Sequence, residues 1–148
     1  VLLLLIAAGV LLFLAISAVL ARVLSIDGAE RSAITSLVTA EAHGDVSAMR
    51  AQLYRCGQTS SCRTRVAEDA AALRRAGMVS IIQIQPSAGF SLTGTLGVAR
   101  VAWNAGRSLP IVQCVRVRRA GNALSGLRVE LLEVSRRIAS DAACPARF

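Results

Sequence analysis

Residues 1–21 (VLLLLIAAGVLLFLAISAVLA) carry no charge and are almost wholly aliphatic. As a helix rising ~1.5 Å per residue, this run is about 32 Å long, which matches the ~30 Å hydrocarbon core of a bilayer. Lipid offers peptide groups no hydrogen-bond partner, so a single segment of this kind can cross only as a helix. A cleaved secretory signal has a shorter apolar core, ~7–15 residues, before a small-x-small site. Val19-Leu20-Ala21 would pass as such a site, but the run exceeds that range, and residues 1–24 are read as an uncleaved anchor. A chain that opens on Val is expected to have residues upstream, where a charged flank would set the orientation; Arg22 on the far side is a weak counter-signal.

Cysteine supplies the orientation instead. Cys56, Cys62, Cys114 and Cys144 all follow the anchor, and an even number behind an export-type segment points to disulfides. Four cysteines allow three connectivities. Cys56 and Cys62 (CGQTSSC) form the natural local pair, which leaves Cys114, in a strand-like run, to hold Cys144 in the tail. Free thiols are the bland alternative, since cysteine is often buried. Cys-x5-Cys without a nearby histidine fits zinc poorly. The expected arrangement is a single-pass protein of the cell membrane with its domain outside the cytoplasm.

Beyond the anchor the chain is the length of one domain. The whole chain is basic, with a formal charge of +8, and all 17 of its basic residues are arginine. A field of that sign attracts anionic surfaces, lipid headgroups included. Aromatic residues make up only 3%, too few for a platform that stacks nucleic-acid bases.

Periodicity divides the domain. Asp27 with Glu30 three residues on resembles a capping box, so a new helix is expected to start after Ser25-Ile26-Asp27-Gly28. Ile34, Leu37 and Val38 continue it with a 3.6-residue stripe to Gly44. Asp45 caps a second helix bearing Val46, Met49 and Leu53. A third, with Val66, Ala70 and Leu73 inward, is expected to run to Ala76. At Met78 the period becomes two. Residues 78–85, 95–103, 109–119 and 127–138 read as four strands, with 87–94 as a loop. Short Gly-bearing links at 104–108 and 120–126 make the last three an antiparallel meander. The fold class is α+β: an N-terminal transmembrane helix, then three helices packed on a four-stranded, mainly antiparallel sheet. The domain is bounded at 25–138, with residues 139–148 as an unstructured tail.

Helices first and then a meander, with an amphipathic helix at Glu30-Arg31-Ser32-Ala33 and a break at Gly44-Asp45 before a short helix, resembles the nuclear-transport-factor-2-like (cystatin-like) family. The resemblance covers residues 27–138 and rests on pattern, without a diagnostic motif. It implies a curved sheet wrapped around helices and a pocket. Some members of that family are enzymes, some bind small molecules, many are membrane-tethered interaction domains, and relatives often dimerise through the sheet.

Catalytic candidates are sparse. His43, the sole histidine, is either a general base or a cation at a helix C-terminus, where the dipole favours it. Glu130 and Glu133, three apart in a strand, should point to opposite faces and form no acid/base dyad. The resembled family's enzymes carry His and Asp on the strands, and these strands have neither. Arg100, Arg116, Arg118, Arg128 and Arg136 form a candidate anion-binding patch, or a solvated face with cross-strand Arg–Glu pairs. Arg119 should point to the opposite face. Tyr54 and Trp103 are candidates for a pocket mouth, with core packing as the alternative. The expectation is a non-catalytic domain without cofactor or metal. It would bind an envelope protein, and the alternative is a small apolar or lipid-like ligand held between helices and sheet.

Overall fold

A single helix, α1 (Leu2–His43), carries both the apolar run and the amphipathic stretch that packs on the sheet. The computed structural model describes residues 2–89, 91–122 and 124–148, so the expectations touching Val1, Phe90 and Ala123 lie outside the described residues. The apolar half of α1 is exposed along its length, Leu3 and Phe13 included. The second half presents Ile26, Glu30, Ile34, Leu37, Val38, Glu41 and Ala42 as one buried stripe.

The expected helix break after Ser25 is absent. Asp27 and Glu30 look like a cap locally, but their carboxylates are taken by Arg119 on the sheet. Gly28 meets nothing within 4 Å, and its cost in a helix interior is only about 1 kcal/mol. The Ser25 hydroxyl donates back to the Arg22 carbonyl inside the helix, and so caps nothing.

At Gly44 (φ +71°) α1 ends in a left-handed residue, and the Asp45 carboxylate accepts the Ala48 N–H at 2.9 Å to open α2 (Val46–Gln52). A 3₁₀ turn (Cys56–Gln58) leads to α3 (Ser60–Leu73). Here α3 stops three residues before the expected Ala76. Arg74 turns extended and Arg75 donates its N–H to the Ala42 carbonyl in the last turn of α1.

The strands are β1 (Val79–Gln85), β2 (Thr93–Ala105), β3 (Ile111–Asn122) and β4 (Gly126–Val134), in spatial order β1-β2-β3-β4. Each neighbouring pair is antiparallel, and the sheet is open. One face packs on α1: Val101, Trp103, Ile111, Val115, Val117 and Leu131 form one buried cluster with Ile34, Leu37 and Val38, and this is the core. β3 runs antiparallel to α1, since Gln113 bonds Glu41 and Arg119 bonds Glu30 and Asp27. Gly97 lets the Ser87 backbone pass where any Cβ would collide with it at 2.0 Å. Ser87 in turn gives its N–H and hydroxyl to the buried Glu30.

β4 ends at Val134 rather than at the expected 138. The Ser135 hydroxyl takes the Cys114 N–H in place of a ladder carbonyl, and Ile138 then pairs with Val112 outside the strand. Both expected disulfides are formed, Cys56–Cys62 and Cys114–Cys144. Cys62 lies in the first turn of α3, so the shorter bridge ties the 3₁₀ turn to that helix.

Candidate functional site

The outer face of the sheet, away from α1, carries most of the predicted arginine patch. Arg116 and Arg118 share it, as alternation along β3 requires, while Arg119 is buried on the inner face. Glu130 and Glu133 lie there together, contrary to the spacing argument. A β-bulge in the β3–β4 ladder pairs Arg116 with Glu133 and Val117 with Leu131, so one extra residue of β4 is absorbed and the faces realign. Each carboxylate is held by arginine. Arg116 Nε donates to Glu133 Oε2 at 3.0 Å, Arg118 bonds Glu130, and Arg128 Nε reaches Glu130 Oε1 at 3.0 Å. These guanidinium contacts hold the Glu130 carboxyl below its usual range, Arg128 first, and correspondingly raise Arg118.

The C-terminal segment lies across this same face without regular secondary structure. Cys144 is bonded to Cys114, the Ser140 carbonyl accepts from Arg100, and the Ala146 carbonyl accepts from Arg116 at 2.9 Å. Phe148 sits under the Arg116 guanidinium, 5.1 Å from ring centre to cation. The fifth patch residue, Arg136, is engaged elsewhere: it donates to Glu68 of α3 at 2.8 Å. The five arginines are thus engaged in internal Arg–Glu and Arg–carbonyl contacts, four of them on this face and Arg136 apart from them.

Tyr54 stands at the rim of this face. Its N–H bonds the Leu131 carbonyl at 2.7 Å, so residues 53–54 cover the outer edge of β4. Arg118 lies over the Tyr54 ring at 4.8 Å and Arg55 at 5.1 Å. Beside it opens a cleft of about 170 Å³ lined by Leu53, Tyr54, the Cys56–Cys62 bridge, Leu132, Val134 and Phe148, with Arg65 and Glu133 as its charged groups. That is smaller than the ~300–1,000 Å³ of ordinary small-molecule sites and suits a single inserted side chain.

Trp103 lines no such mouth. It is fully buried, and its indole N–H donates to Gln113 Oε1 at 2.8 Å. Gln113 passes the network on, donating to Glu41 at 2.8 Å and to the Ser135 carbonyl at 3.1 Å. His43 is exposed at the last position of α1, the dipole-favoured place.

Three features escaped sequence reasoning. Phe148 gave no local signal. The Arg119–Glu30–Asp27 cluster was masked by its resemblance to a cap. The Glu41–Gln113 pair was announced only by a polar residue at an inward position of an apolar strand. Comparison with protein-family models, with curated proteins and with solved structures finds no match for this chain. What stands is an α+β chain whose N-terminal apolar helix is compatible with a membrane anchor and whose two disulfides suggest an oxidising compartment.

Proposed function

We propose that this protein is a single-pass membrane protein whose disulfide-stapled domain faces the extracytoplasmic side and binds another envelope protein without catalysis. The contact is the Tyr54–Arg118 rim with its adjoining cleft. The observation that carries this is the pairing of an exposed tyrosine, flanked by two guanidinium groups, with a half-open cleft of mixed polar and apolar lining sized for one side chain. Tyrosine and arginine around a desolvated pocket are the usual anchors of protein–protein interfaces. A non-catalytic role is supported by the exposed, terminal position of His43 and by the arginine partners of both strand carboxylates.

The alternative, an apolar ligand between helices and sheet, is disfavoured because Leu37, Val38, Trp103, Val115 and Leu131 fill that space. The order of elements, with α1 lying across a four-stranded meander, supports a nuclear-transport-factor-2-like (cystatin-like) kinship at the level of layout alone. The test is photo-crosslinking in whole cells from position 54, with position 107 in the far hairpin as reference. A discrete adduct from 54 that is absent from 107 is expected. Equal, background-level adducts at both positions would refute the interface.

A further inference from the structure

We infer that Leu124, at the tip of the β3–β4 hairpin, is a second membrane contact, seated at the bilayer interface beside the anchor. This rests on the anchoring role proposed for the first half of α1. Because α1 is unbroken, the height of each domain element above the membrane follows from the α1 residue it touches. β3 runs toward the bilayer: Gln113 meets Glu41, Arg119 meets Glu30 and Asp27, and the Leu124 carbonyl accepts from Arg22 Nη1 at 2.7 Å. Arg22 is the first charge after the apolar run, where a long basic side chain reaches the headgroup layer. The hairpin tip is therefore held at that level.

Its chemistry fits the place. Residues 122–126 carry no charge, and Leu124 is 80% exposed. Three backbone groups of Leu124 and Ser125 have partners within the protein. Asn122 Oδ1 accepts the N–H groups of Leu124 at 2.9 Å and of Ser125 at 2.7 Å, while Arg22 takes the Leu124 carbonyl. Arg128, exposed just past the tip, can place its cation among headgroups. Half-exposed Leu92, next to the Thr93–Asn122 pair, flanks the tip at the same end of the sheet. Anchor and hairpin together would fix the domain's tilt, which a lone helix leaves free.

The full chain is reconstituted in phosphatidylcholine vesicles, with or without lipid brominated near the top of the acyl chain, and tryptophan emission is read. Three variants are compared, Leu124→Trp, Leu109→Trp at the far end of the sheet and Leu12→Trp in the anchor. The wild-type chain gives the buried Trp103 baseline, and folding is checked by the absence of alkylatable thiols. Quenching at L124W and L12W, with none above baseline at L109W, is the expected result. Quenching at L12W with L124W indistinguishable from L109W overturns the hairpin contact and leaves the anchor intact. No quenching at L12W overturns the anchor, and the contact with it.

Discussion

Replacing Glu41 with glutamine should remove most of a steep pH dependence of stability. Glu41 is fully buried; Oε1 accepts from Gln113, and Oε2 has no partner among the described residues. Burial pushes its carboxyl up from 4.5 to about 8, with the nearby Asp69 charge adding to the rise and the Gln113 bond opposing it. Asp69 is itself raised to about 6, again chiefly by burial. In the window between 4.5 and about 8 the folded chain holds a proton on Glu41 that the unfolded chain has released. Stability is thus fully present below the lower value and drains away as pH rises through the window. At ~1.4 kcal/mol per pH unit, the loss from pH 5 to pH 8 is on the order of 4 kcal/mol. Glutamine keeps the size and the acceptor but cannot ionise. In Glu41→Gln only the Asp69 share remains, confined to the acid side of about pH 6. The assay is urea unfolding of the full chain in detergent micelles, followed by Trp103 emission, since its indole belongs to the same network. A wild-type midpoint that falls from pH 5 to 8 and a Glu41→Gln midpoint nearly level above pH 6 are expected. Parallel declines in the two proteins would refute the reasoning.

The same unfolding assay checks two further outcomes. Arg119→Ala strands the buried Glu30 carboxylate and should cost about 3–5 kcal/mol. Cys114→Ser opens the 30-residue loop and Cys62→Ser the 6-residue one, with losses of about 4 and about 2 kcal/mol from chain entropy; equal losses would contradict that origin. Tyr54→Ala should change stability by only about 0.5–1 kcal/mol, the worth of an exposed cation–π contact. It should nevertheless abolish co-purification of the partner crosslinked from position 54.

Signals that depend on near neighbours were legible in the sequence. The apolar run set the exposed first half of α1, the Gly44-Asp45 pair set the α1–α2 boundary, and the change of period at Met78 set the start of the sheet. What failed depended on distant partners. Asp27 and Glu30 have a cap's spacing, yet Arg119, some ninety residues on, claims both carboxylates and the helix runs through. A bulge changes the face of every later residue in a strand and leaves no mark in a polar-apolar pattern, so Glu130 and Glu133 were separated wrongly. The tail looked structureless because it has no periodicity. Cys144 and two arginine–carbonyl bonds nonetheless lay it along the sheet, and Phe148 thereby reaches the cleft.

The central claim is an embedded helix carrying a domain in an oxidising space, and counting thiols on membranes tests it most directly. Cells are quenched with a permeant alkylating reagent, their membranes are washed with alkaline carbonate, and the mass of the intact chain is read without reduction. The account predicts a chain retained in the pellet with no alkyl adducts. Four adducts, or a chain released into the wash, would contradict it.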